Sequence, residues 1–360
     1  MKVGIIGGGQ LARMLIESSI DTEFVVLEPN LQNSCNDLNV QIINSNYDDI
    51  KAINKLFELC DVVTYEFENI SESVLKDFKN KLHPNLKFLE VSKKRFDEKN
   101  FAKSYGLEPV KFFKINYFKD FQSLIEKNLI SFPVILKTNS GGYDGKGQSV
   151  LKSLEECVNL DYANNNFIIE EVCQFDFETS LIVTRSKSNQ IYFFPTPINK
   201  HKNGILWESK VLNKKNIINK KILNKVKNLL TKENIVGTVA FEFFVKNKKF
   251  YFNEMAPRVH NTGHYTIDGC NVSQFRNHIL AITNRKIIKP KLIYKSVMIN
   301  LLGEDIKKDF NYSTINKYDY KKNQVVEKRK MGHINIFSKN KNEVLKNLNL
   351  ASKILEDKNE

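Results

Sequence analysis

The stretch VGTVAFEFFVKNKKFYFNEMAPRVHNTGH, residues 236–264, organises the reading of this chain. Phe, Val and Tyr crowd both halves, and Asn247-Lys248 sits where a tight turn is wanted. The stretch therefore predicts a β-hairpin whose second strand empties into a polar loop. Pairing the strands around that turn sets Glu242 opposite, or one step diagonal to, Glu254. Side chains directly across an antiparallel pair have Cβ atoms roughly 4.5–5.5 Å apart, and like charges there repel. An amphipathic hairpin could simply turn both acids to water. Phe241, Phe243 and Phe252 flank them, however, and argue for a cation between the two carboxylates. Hard oxygen donors, with Asn253 beside one of them, suit Mg2+, which combines one or two carboxylates with substrate phosphates. Arg258 follows Glu254 in a loop stiffened by Pro257, placed to stabilise charge that develops in phosphoryl transfer; its plainer reading is an ion-pair partner of Glu254. His260 and His264 share an i, i+4 spacing, but Asn261 and Gly263 indicate a loop and not a zinc-binding helix.

At about 100–200 residues per domain, 360 residues predict two or three domains, and a 41% hydrophobic fraction is enough for real cores. The apolar start MKVGIIGGGQLARML is broken by glycines and followed by a periodic helix. It is neither a signal peptide nor a membrane span, and no later apolar run is long enough to cross a bilayer. The five cysteines are scattered without a CxxC pair, which predicts a reduced, cytoplasmic protein with no zinc site. The formal net charge of +14 raises the question of nucleic acid. The lysines interleave with asparagines, as in residues 210–232, where Ile218, Ile222, Val226 and Leu229 recur at helical spacing. That is a helix with an apolar core face and a solvated lysine face. No nucleic-acid or membrane partner is expected, while attraction of small anionic substrates is compatible with the charge.

Residues 2–6 (KVGII) read as a strand, followed by Gly7-Gly8-Gly9 and a helix from Gln10 to about Ser19. Further strands are expected at 24–27 and 62–65, with a helix near 50–59. This alternation is the signature of a parallel sheet with covering helices. Gly7-x-Gly9-x-x-Ala12 with Glu28 roughly matches a dinucleotide fingerprint, though the motif is weakly specific. Its physical content is a backbone that can approach an anion, with free N–H groups at a helix amino terminus. A charged helical segment spans 91–107 and closes the first domain. Residues 132–138 form a strand, 139–147 (NSGGYDGKG) a glycine-rich loop, and 148–152 the returning strand. Three residues separate Gly141 from Gly145-Lys146, and Gly147 replaces the Ser or Thr of a Walker A motif. A glycine loop joining two strands is instead a hairpin cover over phosphates, with Lys137 as its lysine. Strands follow at 167–172 and 174–185, and Lys200-His201 is expected in a loop before Trp207. Residues 272–283 read as a helix. A final region holds strands at 296–302 and 328–336, then a lysine-rich helix from 342.

Several motifs in order resemble one family. These are GIIGGGQLARM at the amino terminus, TYEFEN at 64–69, GGYDGKGQ at 141–148, NEMAPRVHNTGHYTIDG from Asn253, and RKMGH at 329–333. Together they resemble the 5-(carboxyamino)imidazole ribonucleotide synthetases of purine biosynthesis, over nearly the whole chain. The resemblance implies a mixed α/β and α+β architecture: an ATP-grasp fold with a Rossmann-like parallel-sheet domain at 1–91. An ATP-grasp domain at 92–283 would carry its lid at about 105–170, ahead of a small β-rich domain at 284–360. It implies a dimeric ligase using ATP, Mg2+, bicarbonate and aminoimidazole ribonucleotide. Arg95 and Lys137 would contact ATP phosphates beneath the lid residues Gly142, Tyr143, Asp144, Gly145, Lys146, Gly147 and Gln148. Glu170, Glu171, Val172 and Cys173 would face the adenine, Glu178 the ribose hydroxyls, and His201 the nucleotide's edge. Glu242 and Glu254 would bind Mg2+, with Asn253 beside the nucleotide. Tyr143, Asp144 and Arg258 would surround bicarbonate and carboxyphosphate. The acceptor would meet Gly9, Gln10 and Leu11, with its phosphate near Gln10, Lys322 and Arg329 and its ribose near Glu66. Where the family often carries a further arginine before the RK pair, this chain has Val326. Three rivals stay open: a formate-dependent ribonucleotide transformylase of the same architecture, a non-catalytic nucleotide-binding regulator, and an NAD-dependent oxidoreductase.

Overall fold

A parallel sheet opens the chain, as the strand–helix alternation predicts. It contains β1 (Lys2–Ile6), β2 (Glu23–Leu27), β3 (Gln41–Ile43) and β4 (Val62–Tyr65), in the order β3-β2-β1-β4. Helices α1 (Gln10–Glu17) and α2 (Ile50–Leu59) cover it. With both faces covered, β1, β2 and β4 are buried almost throughout, which is why they read as apolar runs without alternation. The computed structural model describes residues 1–142, 147–163, 166–213 and 217–356. Tyr143, Asp144, Gly145 and Lys146 of the expected lid loop lie outside the described residues.

The helical segment expected over 91–107 is two helices, α3 (Leu86–Ser92) and α4 (Arg95–Ser104). The chain turns extended at Lys94, and the Asn85 side chain caps α3 by accepting from the Phe88 N–H. That break brings Arg95 to a helix start. A small antiparallel sheet follows, built from β5 (Phe112–Ile115), β6 (Val134–Thr138), β7 (Gln148–Leu151) and β8 (Phe167–Glu171), in the order β5-β8-β6-β7. Helix α5 (Phe118–Glu126) packs on it around Ile115, Phe121, Leu136 and Ile169.

The remaining strands form one large sheet. They are β9 (Phe177–Arg185), β10 (Ile191–Phe193), β11 (Ile198–Lys202), β12 (Ile205–Val211), β13 (Gly237–Lys246), β14 (Lys249–Ala256), β15 (Lys295–Leu302), β16 (Ile315–Asp319) and β17 (Lys330–Ser338). The order is β14-β13-β9-β11-β12-β15-β17-β16, with β10 on β9. Helices α6 (Lys220–Lys232), α7 (Thr266–Gly269), α8 (Gln274–Ile282) and α9 (Lys341–Glu356) accompany it. Helix α6 buries Ile222, Val226, Leu229 and Leu230 and turns its lysines outward. Because β12 pairs with β15, the sheet runs unbroken across residue 283.

Lys200 and His201 lie on β11 and not in a loop. The reason is a two-residue turn at Asn203-Gly204, both with positive φ (51° and 77°), which folds β11 back on β12. Among the described residues, no helix is long and apolar enough to cross a membrane.

Candidate active site

The hairpin of β13 and β14 forms as its sequence predicts. Asn247 and Lys248 both take left-handed φ (49° and 62°), the mirror-image turn that matches strand twist. The register runs from Lys246↔Lys249 to Phe243↔Phe252, then shifts, and resumes at Phe241↔Met255. One residue, Glu242, therefore opposes two, Asn253 and Glu254. This is a β-bulge, a device that re-aims side chains next to active sites. Glu242 is 9% exposed. Burial, and then repulsion from Glu254, push its carboxyl up to about 8. Burial also works against ionised Glu254, but Arg95 and then Lys137 outweigh it and hold that carboxyl below its usual range. Its side chain keeps 40% of its surface open.

The Asn253 Oδ1 atom is buried without a hydrogen-bond partner among the described residues. Two carboxylates and an unpaired amide oxygen make a donor set that fits a hard divalent cation. Among the described residues no group of three or more His, Cys, Asp and Glu side chains forms a metal cage. Glu242, Asn253 and Glu254 are thus three oxygen-bearing side chains gathered at the bulge.

Arg95 reaches this pair from the start of α4. One guanidinium nitrogen lies 3.3 Å from Glu254 Oε2, and the other donates to the Gly142 carbonyl at 3.1 Å. Arg95 thereby joins the large sheet to the shoulder of the glycine loop. Gly147 closes that loop at φ +73°, and a Cβ there would stand 2.6 Å from Thr138 Oγ1. Gln148 then starts β7 opposite Lys137. Lys137 Nζ donates to Glu170 Oε2 at 2.9 Å, and Lys99 Nζ stands 3.1 Å from Glu170 Oε1. Burial opposes the Glu170 carboxylate, yet its two lysines win and hold it down at about 2. A carboxylate so engaged leaves the backbone, more than the side chain, to meet a ligand. Glu171 is exposed at the end of β8, and Val172 and Cys173 are half-buried just beyond. Glu178 on β9 and His201 on β11 meet across the sheet, with His201 Nδ1 2.5 Å from Glu178 Oε2. Burial lowers the imidazole and Glu178 raises it; the net shift is upward.

The start of α1 differs from expectation. The anion nest at the start of α1 is filled by the chain itself: Glu66 accepts from the N–H groups of Gly9 (2.5 Å), Leu11 (3.1 Å) and Ala12 (3.1 Å). A Cβ on Gly9 would stand 2.5 Å from Glu66 Oε1, so glycine is what admits this carboxylate. The Gly9 and Leu11 N–H groups are thereby engaged, and half-buried Gln10 stands between them at the start of α1. Glu28 serves the turn, accepting from the Gly8 N–H and the Tyr47 hydroxyl. Arg258 does not pair with Glu254. Its Nη2 lies 2.9 Å from Glu68 Oε1, just past β4. Lys322 Nζ donates to the Lys330 carbonyl at 2.6 Å, and Arg329 is exposed nearby in sequence.

Family profiles match the ribonucleotide synthetase preATP-grasp domain over residues 1–93, the ATP-grasp domain over 100–275 and the phosphoribosylaminoimidazole carboxylase C-terminal domain over 296–347. The N5-carboxyaminoimidazole ribonucleotide synthase of Staphylococcus aureus (strain COL) is 37% identical over 356 residues, covering 95% of this chain and 94% of that protein. The chain belongs to the N5-carboxyaminoimidazole ribonucleotide synthase family. A solved N5-carboxyaminoimidazole ribonucleotide synthetase in complex with ADP superposes with a TM-score of 0.91 at 36% identity, covering 99% of this chain and 97% of that one. The synthetase from Thermus thermophilus gives 0.90 at 29% identity, with 99% of each covered. This member of the N5-carboxyaminoimidazole ribonucleotide synthase family is accordingly an ATP-grasp ligase, with the preATP-grasp, ATP-grasp and C-terminal elements in the expected order.

In this member of the N5-carboxyaminoimidazole ribonucleotide synthase family, sequence reasoning missed Lys99, Glu98 and Glu68 around this cluster, and it read His260 only as a loop residue. Lys99 stands one turn after Arg95, and that i, i+4 spacing on a charged helix was its signal. Glu98 accepts from the Met255 N–H at 2.6 Å behind the β13–β14 hairpin. Glu68 sits two residues past Glu66. His260 Nδ1 comes within 3.7 Å of Glu242 Oε1, and burial, then Arg258, lower it to about 3.

Proposed function

We propose that this protein joins bicarbonate to the exocyclic amine of 5-aminoimidazole ribonucleotide, using ATP and giving 5-(carboxyamino)imidazole ribonucleotide, ADP and phosphate in purine biosynthesis. The observation that carries this reading is Arg95, which bridges Glu254 of the large sheet to Gly142 of the glycine loop. A cleft so bridged suits a polyphosphate lying between the two sheets.

A bicarbonate oxygen attacks the γ-phosphorus, the bond to the β–γ bridging oxygen breaks, and ADP leaves with that electron pair. The carboxyphosphate so formed presents its carbon, directly or as CO2, to the amine nitrogen. The carbon–oxygen bond to phosphate breaks, phosphate leaves, and the nitrogen gives up a proton. Arg95 and Lys137 steady the ATP phosphates, and Gly142, Gly147 and Gln148 frame the cover that includes Gly145 and Lys146. Residues 170–173 border the adenine, Glu178 the ribose and His201 the nucleotide's edge. Arg258 would meet bicarbonate and carboxyphosphate, the role the family resemblance also gives Tyr143 and Asp144, which lie outside the described residues. Glu242, Glu254 and Asn253 would hold Mg2+, which when bound neutralises phosphate charge. Carboxyphosphate hydrolyses readily, so the cleft must exclude water and hold the amine close.

On the acceptor side Gln10, Lys322 and Arg329 take the phosphate. Glu66 serves the ribose while holding the Gly9–Leu11 turn. The reading divides the chain at about residues 91 and 283 and pairs it as a homodimer. The five free cysteines support a cytoplasmic setting. Bicarbonate labelled with 18O tests the chemistry: one label per turnover should pass into the released phosphate. Unlabelled phosphate would refute phosphorylation of bicarbonate.

A further inference from the structure

Lys99 is 1% exposed, and a lysine ammonium is buried this deeply only where it is partnered. Its partners lie on two different sheets. Lys99 Nζ stands 3.1 Å from Glu170 Oε1 on β8 of the small sheet, and it donates at 2.9 Å to the Asn253 carbonyl on β14 of the large one. Glu170, 3% exposed, passes its other oxygen to Lys137 Nζ at 2.9 Å. The Asn253 carbonyl belongs to the bulge that aims Glu254 at Glu242. One ammonium therefore holds the lysine that faces the nucleotide phosphates and the strand that faces the cation. Arg95, one turn earlier on the same helix, reaches Glu254 directly. Glu98 on the adjacent position fixes the Met255 N–H.

We propose that Lys99 is a positioning residue for the phosphate end of the nucleotide site, keeping Lys137 and Glu254 in register across the two sheets without itself touching ATP. A buried carboxylate shared between two lysines draws each ammonium only part of the way. Lys137 can then turn towards phosphate while Glu170 stays paired. Without Lys99, Glu170 would bind Lys137 alone and more tightly, and the Asn253 carbonyl would lose its donor. The inference rests on the reading of Lys137 and Glu254 as the phosphate end of the site.

The test is calorimetric titration of the full chain with ADP and, separately, with adenosine, for the wild type, Lys99→Met and Lys99→Gln. Lys99→Gln keeps a donor for the Asn253 carbonyl and so protects the fold if Lys99→Met does not give folded protein. Loss of one buried charge-assisted contact predicts ADP affinity weakened about 10–100-fold in Lys99→Met and less in Lys99→Gln, with adenosine affinity unchanged. A residue that merely supports the fold would lower the melting temperature and weaken both ligands equally, or neither, and either result overturns the proposal. Wild-type protein that bound no ADP would overturn the underlying reading of the site, and the inference with it.

Discussion

Arg258 reaches across from the loop after β14 to Glu68, three residues past β4, with Nη2 2.9 Å from Oε1 and 3.2 Å from Oε2. Glu254, four residues before Arg258, pairs with Arg95 instead. The arginine expected to steady the transferring group is thus held by a carboxylate of the amino-terminal domain. Its Nε is buried without a partner among the described residues. Removing Arg258 as Arg258→Ala should slow the chemical step about 10²–10³-fold, as loss of a transition-state donor does. Single-turnover kinetics would show it, and a change confined to the KM for ATP would contradict the role. Glu68→Gln should lower kcat less, and a double-mutant cycle with Arg258→Ala should show the two effects to be non-additive.

Glu254→Gln should nearly abolish turnover while leaving the fold intact by circular dichroism. The bulge places Glu254 and Asn253 against Glu242, so one amide substitution removes a charge from the proposed cation site. Raising Mg2+ should partly rescue Glu242→Gln before it rescues Glu254→Gln, because Glu242 is the acid already pushed towards its neutral form by burial and by Glu254. Equal activity at every Mg2+ concentration would remove the metal assignment.

The nest at α1 gives a stability prediction. Glu66 satisfies three backbone donors at once, so Glu66→Gln turns an amide N–H towards at least one of them. The cost should be about 1–2 kcal/mol in urea unfolding, comparable to a lost helix cap. An unchanged midpoint would mean that the carboxylate is not what closes the turn.

Acid should destabilise the protein through neutral buried histidines. His278 is held between Thr64 and the Thr238 N–H, and burial, then His83, lower it to about 3. His333 meets the Tyr320 hydroxyl, and burial lowers it to about 3. Each titrates near 6.5 when unfolded, so the unfolded chain binds the extra proton first. The stabilisation is complete above pH 6.5 and is lost as pH falls from there towards about 3. The slope is about 1.4 kcal/mol per pH unit for each histidine. Urea midpoints at pH 7, 6 and 5 would measure it. A His278→Gln variant should show a shallower fall; an identical slope would exclude His278.

Much of the fold was legible because it is local. Asn247-Lys248 gave the hairpin, the apolar runs at 2–6 and 62–65 gave the parallel strands, and Ile222, Val226 and Leu229 gave the face of α6. The pairing of Glu242 with Glu254 followed from counting back along that hairpin, although the bulge that spreads it over Asn253 could not be counted. Partners far apart in sequence were not legible. Glu66 filling the nest at Gly9 and Glu68 holding Arg258 each depend on sheet order, as does Lys99 serving both β8 and β14. The Asn203-Gly204 turn was visible in the sequence; without it, His201 read as a loop residue.

The most direct test is ADP release by the purified protein with ATP and Mg2+, in the four combinations of bicarbonate and aminoimidazole ribonucleotide. The account predicts sustained turnover only when both are present. Turnover that ignored bicarbonate, or that required formate and a different ribonucleotide, would contradict it.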